Sequence, residues 1–348
     1  MKLNALFCAS LIAAACGPAL AQTCDEWAYL DPAPAVNARV CAYDPSRGAV
    51  LSFALTPSRA TTEATPAATL AIQDGVWTTI ATGPDLRVNF LLRSATAMAF
   101  DPIRGRMVLN FGTTWELVDG VWTQAASGFT ARSMVFDSTR GKIVALASAT
   151  SLREWDGVVW TEIPTSGVLT ETDLSGPLLH DPSRDELWVI SATSFTIRSE
   201  GAWRPSVVAP WSADGGALVA YVDPQDGAIH VVTRTADHRW AGGAWSRTSV
   251  SGWPSGLTAG TRGSAWGPVR REVVVINLAT ALGRGAPRSV VLREGAWISY
   301  TSLGLMPLPA QGSGLVYDSN RQRLIGNDVL GTVEINGSEV RALNSSGR

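Results

Sequence analysis

The stretch Ala99-Phe100-Asp101-Pro102-Ile103-Arg104-Gly105 is one copy of a motif that recurs along the chain. In such a motif the aspartate accepts hydrogen bonds from the backbone that follows, proline presets φ, and glycine relieves the exit of the turn. The arginine, three residues after the aspartate, can reach back to its carboxylate. The motif therefore predicts a strand, a tight turn and a second strand. The other copies begin at Ala42, Val135, Leu179, Tyr221, Ala265 and Val316.

A second motif follows each copy of the first: a turn that contains glycine, and then a strand that opens with tryptophan. Asp-Gly and Asn-Gly between apolar runs predict a β-hairpin, because glycine adopts the positive φ that a tight turn needs. We expect the tryptophans to fill the outer gap between neighbouring sheets. In the seventh copy, Val340 stands where tryptophan is expected. The tryptophans of the other six copies are Trp77, Trp122, Trp160, Trp203, Trp245 and Trp297.

Together the two motifs define a four-stranded unit that occurs seven times, at spacings of about 36 to 57 residues. A β-helix would need a much shorter period, and a sandwich would not repeat so regularly. The predicted fold class is all-β, a seven-bladed β-propeller of four-stranded antiparallel blades spanning residues 40–348. Residues 22–39 form an N-terminal segment in which Glu26–Leu30 could add a ring-closing strand. Val340–Leu343 could instead supply the last strand, so both closures remain open.

The repeat resembles that of the kelch-type propellers. The resemblance rests on Phe-Asp-x-x-Arg-Gly, an apolar strand, and then Trp-Glu-x-x-Asp-Gly-x-Trp, as in Phe100 to Trp122. The segment Met107–Gly112 corresponds to the family's strand that ends in two glycines, but only Gly112 is present here. The resemblance covers nearly all of the chain after residue 21. It consists of structural residues, so it implies a fold and little about activity.

The N-terminus predicts export, with residues 1–21 as a signal peptide. Lys2 precedes an apolar run from Leu6 to Cys16, which is too short to span a bilayer, and Ala19-Leu20-Ala21 is a cleavage pattern. The expected location is secreted or periplasmic. As an alternative, the residues around Cys16 resemble a lipoprotein box, which would make Cys16 a lipid anchor. No later run is long enough for a transmembrane segment.

Two cysteines, Cys24 and Cys41, remain after the predicted signal. An even pair in an oxidising compartment favours a disulfide, which would stabilise the fold by roughly 3 kcal/mol. The formal net charge is −2, which offers no strong field for nucleic acid, and we expect a monomer. No cofactor and no metal site are predicted. The grouping of His230, His238 and Asp237 gives only a weak indication of a metal.

Candidate ligand-binding residues lie in the loops between repeats. Trp211 and Trp253 fall outside the repeat, and an exposed indole can stack on a sugar or anchor a protein; the alternative is that each packs beneath its own loop. Arginines recur just before the innermost strands and could clamp a carboxylate at the channel mouth, unless they serve packing. These arginines are Arg39, Arg93, Arg132 and Arg262.

Two functions follow as hypotheses. The first is a non-catalytic binding or scaffold module for a glycan or protein partner, because the repeat is complete and no catalytic motif is found. The second is a carbohydrate-active enzyme, such as a sugar-acid epimerase, lyase or hydrolase, at the channel mouth. Its acidic residues would be Glu171, Asp173 and Asp214, working with the arginines.

Overall fold

A computed structural model describes most of the repeat region. The described residues are 27–29, 37–55, 67–73, 76–83, 96–148, 151–165, 169, 177–255, 261–277, 288–301, 315–328 and 331–335. Across these ranges the regular elements are β-strands and one 3-10 helix, Pro210–Asp214. The prediction of an all-β chain is confirmed. No helix in the described ranges is long and apolar enough to cross a membrane.

Within the described residues the strands pair into seven sheets, and consecutive strands are antiparallel neighbours. Sheet one contains β2 (Asn37–Asp44), β3 (Ala49–Leu55), β4 (Ala67–Gln73) and β5 (Val76–Thr82). Sheet two contains β6 (Ala97–Asp101), β7 (Arg106–Asn110), β8 (Thr113–Val118) and β9 (Val121–Ser127). Sheet three contains β10 (Ser133–Asp137), β11 (Lys142–Ser148), β12 (Ser151–Trp155) and β13 (Trp160–Ile163).

The remaining sheets follow the same order. Sheet four contains β14 (Leu178–Asp181), β15 (Glu186–Ile190), β16 (Ser194–Ser199) and β17 (Ala202–Trp203), and β18 (Val207–Val208) also pairs with β16. Sheet five contains β19 (Val219–Val222), β20 (Ile229–Val232), β21 (Ala236–Ala241) and β22 (Ala244–Ser249). Sheet six contains β23 (Thr261–Gly267), β24 (Glu272–Asn277), β25 (Arg288–Arg293) and β26 (Ala296–Thr301). Sheet seven contains β27 (Leu315–Asp318), β28 (Arg323–Asp328), β29 (Gly331–Ile335) and β1 (Trp27–Tyr29).

The aspartate turns have the predicted hydrogen bonds. In sheet two, Oδ1 of Asp101 accepts the backbone N–H groups of Ile103 and Arg104, each at 3.0 Å. Oδ2 of Asp101 accepts Nε of Arg104 at 2.7 Å. Asp101 is buried, so these bonds compensate for the water that its carboxylate loses. The turn therefore fixes the register of β6 and β7.

The glycine hairpins also form as predicted. Asp119 (φ 50°) and Gly120 (φ 80°) both have positive φ, as a two-residue type I′ turn between β8 and β9 requires. Trp122, two residues later, is buried against Phe53 of the preceding sheet and donates its indole N–H to Thr69 at 2.6 Å. This tryptophan thus packs one sheet on the next.

The sheets follow one another in a ring. The first strand of each sheet contacts the first strand of the next, and β27 of sheet seven contacts β2 of sheet one. At that junction the N–H of Asn320 donates to the hydroxyl of Tyr43 at 3.1 Å. Strand β1 is the outermost strand of sheet seven, where Trp27 lies opposite Ile335 of β29. The N-terminal closure is therefore present, while Val340–Leu343 lies outside the described residues.

Because each sheet is an antiparallel meander, its connections divide between two ends. The aspartate turns and the glycine hairpins lie at one end, which we call the turn face. The connections between second and third strands, and between one sheet and the next, lie at the other end, which we call the loop face. The two faces therefore carry different residues from the same repeat.

Several N-terminal predictions fall on residues that are not described. The signal peptide, the lipid-anchor alternative at Cys16, and Cys24 are among them, so the disulfide stays a prediction. Its proposed partner Cys41 lies in β2, where burial raises the pKa of the thiol to about 11 despite a hydrogen bond with Ser52. In this state Cys41 is a protonated thiol at neutral pH.

Candidate functional site

Trp211 is buried, so the prediction of an exposed indole is wrong at this position. It lies in the 3-10 helix after β18 and donates its indole N–H to the carbonyl oxygen of Ser191 at 3.0 Å. Its ring centroid is 5.0 Å from that of Trp245 and 5.5 Å from that of Phe195. The short helix directs the Trp211 indole towards the apolar cluster between sheets four and five. This burial removes far more apolar surface from water than an exposed position in a loop would.

Trp253 is half-buried on the loop face, between sheets five and six. Its ring lies edge-on to Trp297, with centroids 4.9 Å apart. The guanidinium carbon of Arg234 lies 6.0 Å from the Trp253 centroid, and the carbonyl of Arg234 accepts the indole N–H of Trp297 at 3.0 Å. Arg234 and the two tryptophans therefore form one unit, which we call the Arg234–Trp253 unit.

A second arginine–aromatic pair lies on the loop face near sheet three. The guanidinium carbon of Arg153 is 4.8 Å from the centroid of Phe129. Phe129 lies in the connection that leads to Arg132, which is exposed and whose backbone N–H donates to Leu146 at 2.9 Å. Arg132 is thus on the predicted face. Arg153 and Arg234 were missed from the sequence, although both lie in or just after a connection between second and third strands.

The other predicted arginines are only partly described. The backbones of Arg39 and Arg262 lie at register shifts near the starts of β2 and β23, between Ala38 and Val40 and between Thr261 and Gly263. Their side chains, and all of Arg93, lie outside the described residues. The convergence of these arginines at the channel mouth therefore stays a prediction.

Arg132, Arg153 and Arg234 differ in their partners from the arginines that bind the aspartates of the repeat turns. Among the described residues no carboxylate forms an ion pair with Arg132, Arg153 or Arg234, and Nε of both Arg153 and Arg234 is buried without a hydrogen-bond partner. On the turn face, each aspartate of the repeat pairs with an arginine. These pairs are Asp44–Arg47, Asp101–Arg104, Asp137–Arg140, Asp181–Arg184, Asp223–Arg271 and Asp318–Arg321.

Asp214 is the described member of the predicted acidic set. Its carboxylate accepts Nη2 of Arg247 at 2.8 Å, Nε2 of His238 at 2.8 Å and the hydroxyl of Thr235 at 3.0 Å. The hydrogen bonds from Arg247, with those from Thr235 and His238, hold the pKa of Asp214 well below its usual range. A carboxylate held ionised in this way suits an anchor for the 3-10 helix better than a general acid. Glu171 and Asp173 lie outside the described residues.

The two nearby histidines do not form one site, which corrects the grouping weighed from the sequence. His230 lies opposite Arg239 in the β20–β21 pair, and His238 lies opposite Val231. Directly opposite residues point to the same side of a sheet, so the two rings are on opposite sides. His238 turns towards Asp214, whereas His230 turns towards Asp237, with Nδ1 3.0 Å from both carboxylate oxygens.

Comparison with known structures supports the architecture. The chain is similar to the crystal structure of the C-terminal WD40 domain of Sif2, with a TM-score of 0.56 and 10% sequence identity, over 89% of this chain and 98% of that one. The chain has a β-propeller fold. It also matches a putative gluconolactonase at a TM-score of 0.46 and 14% identity, over 70% of this chain and 88% of that one. No protein-family model and no curated protein matches the sequence.

At this identity the similarity establishes the propeller, built of four-stranded antiparallel sheets, and nothing of activity. The kelch resemblance is not confirmed by these comparisons. On the propeller, the loop face presents guanidinium groups beside aromatic rings. A guanidinium can bind a carboxylate through two parallel hydrogen bonds, and an aromatic edge or face can contact a sugar ring. The chemistry of the described face is therefore suited to holding an anionic, ring-containing ligand.

Proposed function

We propose that the protein is an exported, seven-bladed, kelch-like propeller that acts as a binding module for an acidic glycan on its loop face. The observation that carries the proposal is that three loop-face arginines lack a carboxylate partner among the described residues. The arginines of the aspartate turns, such as Arg104 and Arg140, pair with the aspartates of the repeat, whereas Arg132, Arg153 and Arg234 pair with no carboxylate among the described residues. A ligand carboxylate would supply the missing counter-ion.

The Arg234–Trp253 unit is the centre of this proposal. The carbonyl of Arg234 is fixed by the Trp297 indole N–H, and its guanidinium is held over Trp253. A cation held in place before binding loses less conformational freedom when the ligand arrives. Trp253 beside it is half-exposed, so a uronic acid could contact the indole while its carboxylate meets Arg234.

Binding to acidic oligosaccharides tests the proposal. A glycan array that includes oligogalacturonates and sialylated glycans, followed by titration calorimetry on the best binder, is the primary measurement. We expect Arg234→Gln and Trp253→Ala each to weaken binding at least tenfold. Arg204→Gln is the matched control, because Arg204 is exposed and lies 3.8 Å from Glu186, away from the unit. Its affinity should equal that of the wild type.

Three results would count against the proposal. Binding of neutral glycans alone, or equal affinity in Arg234→Gln, would remove the role of the arginine. Capture of a protein with no glycan binding would favour the scaffold alternative. Turnover of a sugar acid in a parallel substrate panel would favour the enzyme alternative. Mass spectrometry of the mature N-terminus tests export separately: a start at Gln22 supports a cleaved signal, and a lipidated Cys16 supports the anchor.

A further inference from the structure

The turn of sheet five departs from the repeat in a way that concentrates acidic groups on the turn face. Asp226 stands three residues after Asp223, where the motif has arginine. Asp223 is buried and accepts the backbone N–H of Gln225 at 2.9 Å, and Asp226 accepts the N–H of Ala228 at 2.8 Å. Two carboxylates therefore share one turn.

His230 lies next to this turn at the start of β20 and is 7% exposed. Its Nδ1 is 3.0 Å from both carboxylate oxygens of Asp237, so Nδ1 carries the proton that this contact needs. One face of its ring stacks on Tyr221, with centroids 5.0 Å apart. Nε2, the remaining nitrogen, is buried and has no hydrogen-bond partner. A buried ring nitrogen with a lone pair and no donor is costly unless something binds it.

One donor atom from each of Asp223, Asp226 and His230 lies within 4.8 Å of the others. Since Nδ1 of His230 is engaged by Asp237, Nε2 is the nitrogen available to this group. Donor atoms on one Zn²⁺, at about 2.1 Å each, are roughly 3 to 4 Å apart. The separations in this group, at most 4.8 Å, are close to those of ligands on one ion. Nε2 of His230 has no hydrogen-bond partner that would compete with an ion.

We propose that Asp223, Asp226 and His230 bind a divalent transition-metal ion, with Zn²⁺ as the metal of choice. One imidazole and two carboxylates suit Zn²⁺, which leaves at least one position for water. Asp237 acts as a positioning residue, because it fixes the tautomer that presents the Nε2 lone pair. The site lies on the turn face, away from the Arg234–Trp253 unit, and does not depend on the proposed glycan binding.

Two arginines at the edge of the site would repel a bound cation. Arg271 lies 2.9 Å from Oδ2 of Asp223, and Arg239 lies 2.8 Å from Oδ2 of Asp226. Both are substantially exposed, at 51% and 40% of their side chains, so solvent weakens their repulsion of an ion. Counting Asp237, three carboxylates face two guanidinium groups, so the carboxylates outnumber the guanidinium groups by one.

A second cluster in the described residues, Asp137, His180 and Asp185, has similar composition and serves as the natural control. There Nε2 of His180 lies 3.2 Å from Oδ1 of Asp137 and 3.4 Å from the hydroxyl of Thr139, so that nitrogen has partners. Hydrogen bonds from His180 and Arg140 outweigh burial and lower the pKa of Asp137. This cluster is satisfied as an ion-pair network and should not take up metal.

The test is equilibrium dialysis of the whole protein, stripped with chelator, against ZnCl₂ at pH 7.5. We expect one Zn²⁺ per chain at micromolar concentration, and at least tenfold weaker binding in His230→Gln and Asp226→Asn. His180→Gln should bind as the wild type does. Failure of the wild type to bind Zn²⁺, or unchanged binding in His230→Gln, would overturn the proposal.

For Arg239→Gln we expect tighter binding of Zn²⁺, a result that unfolding of the variant could not produce. Removing this cation leaves the outer oxygen of Asp226 available, so the affinity for Zn²⁺ should rise about fivefold. Circular dichroism would show that each variant is folded. Equal or weaker binding in a folded Arg239→Gln variant would contradict the proposed site, whatever the loop-face glycan measurements show.

Discussion

Nη2 of Arg271 lies 2.9 Å from Oδ2 of Asp223, and this ion pair joins two copies of the repeat that each lack half of the turn motif. Copy five has Asp226 where arginine is expected, and copy six has Gly267 where aspartate is expected. Arg271 of sheet six therefore supplies the counter-ion that sheet five does not have. Arg271 also contacts the side-chain oxygen of Gln225. Two local departures from the repeat thus compensate for each other across a sheet interface.

An arginine placed in the sheet-five turn itself should compensate for the loss of Arg271. Arg271→Ala leaves the buried carboxylate of Asp223 without its cation, and we expect the free energy of unfolding to fall by about 1 to 3 kcal/mol. Adding Asp226→Arg should restore most of it, because an arginine at this position can reach Asp223 as Arg104 reaches Asp101. Urea unfolding of the two single variants and the double variant measures the coupling. Additive losses would argue against this compensation.

Trp211 should matter for stability far more than Trp253. Trp211→Ala empties a buried site among Phe195 and Trp245, and we expect a loss of about 3 to 5 kcal/mol in the free energy of unfolding. Trp253→Ala removes a half-buried ring and should cost about 1 kcal/mol. Chemical denaturation of both variants gives the comparison. A larger loss in Trp253→Ala would contradict the packing described for the 3-10 helix.

The Asp214 carboxylate should make stability depend on acid pH. Its pKa is held below the value of about 3.9 that an unfolded aspartate has, chiefly by hydrogen bonds from Arg247. Its contribution is therefore complete above about pH 4 and is lost as pH falls further. We expect Asp214→Asn to be less stable at pH 7, with a difference from the wild type that shrinks between about pH 4 and 2.

Arg247→Gln provides the check on that pH dependence, because it removes the cation that lowers the pKa. Thermal unfolding across the pH series should show the same narrowing difference as Asp214→Asn. A difference that stays constant with pH in both variants would mean that the carboxylate acts by packing alone.

Gln322 offers a substitution that should stabilise the protein. It has φ 57° at the exit of the sheet-seven turn, where Gly48, Gly105, Gly141 and Gly227 stand in other copies. A residue with a side chain in this left-handed region destabilises the folded state by about 1 kcal/mol or more, whereas glycine adopts the conformation without this strain. We expect Gln322→Gly to raise the free energy of unfolding by about 0.5 kcal/mol. Gln322→Ala keeps the strain and should show no gain.

The sequence predicted those features whose causes are local. Asp101 and Arg104 are three residues apart, and Asp119 and Gly120 are adjacent, so turn chemistry alone gives their conformation. Repetition then predicts which strands pair. The exchange between Asp223 and Arg271 was not predicted. Asp226 and Gly267 depart from the motif in neighbouring copies, but Arg271, which binds Asp223, stands one position after the motif arginine Arg270.

The features that the sequence missed depend on the paths of loops and on the sides of strands. The burial of Trp211 depends on a single 3-10 turn that packs it on Phe195, and no repeat pattern specifies that turn. The proximity of His230 to Asp226 arises because residues across a turn meet on one side of β20, while His238 turns to the other side. Contacts of this kind are decided by packing between sheets and not by spacing along the chain.

The pairing of β1 with β29 has a consequence for how the protein is made. Among the described strands β1 is synthesised first, yet β29, the strand beside it in sheet seven, is synthesised last. A growing chain therefore carries β1 unpaired until β29 has been synthesised, and exposed strands of this kind are prone to mispairing. A chain that stops before residue 331 would leave β1 without its partner strand, so closure of the ring depends on the synthesis of β29.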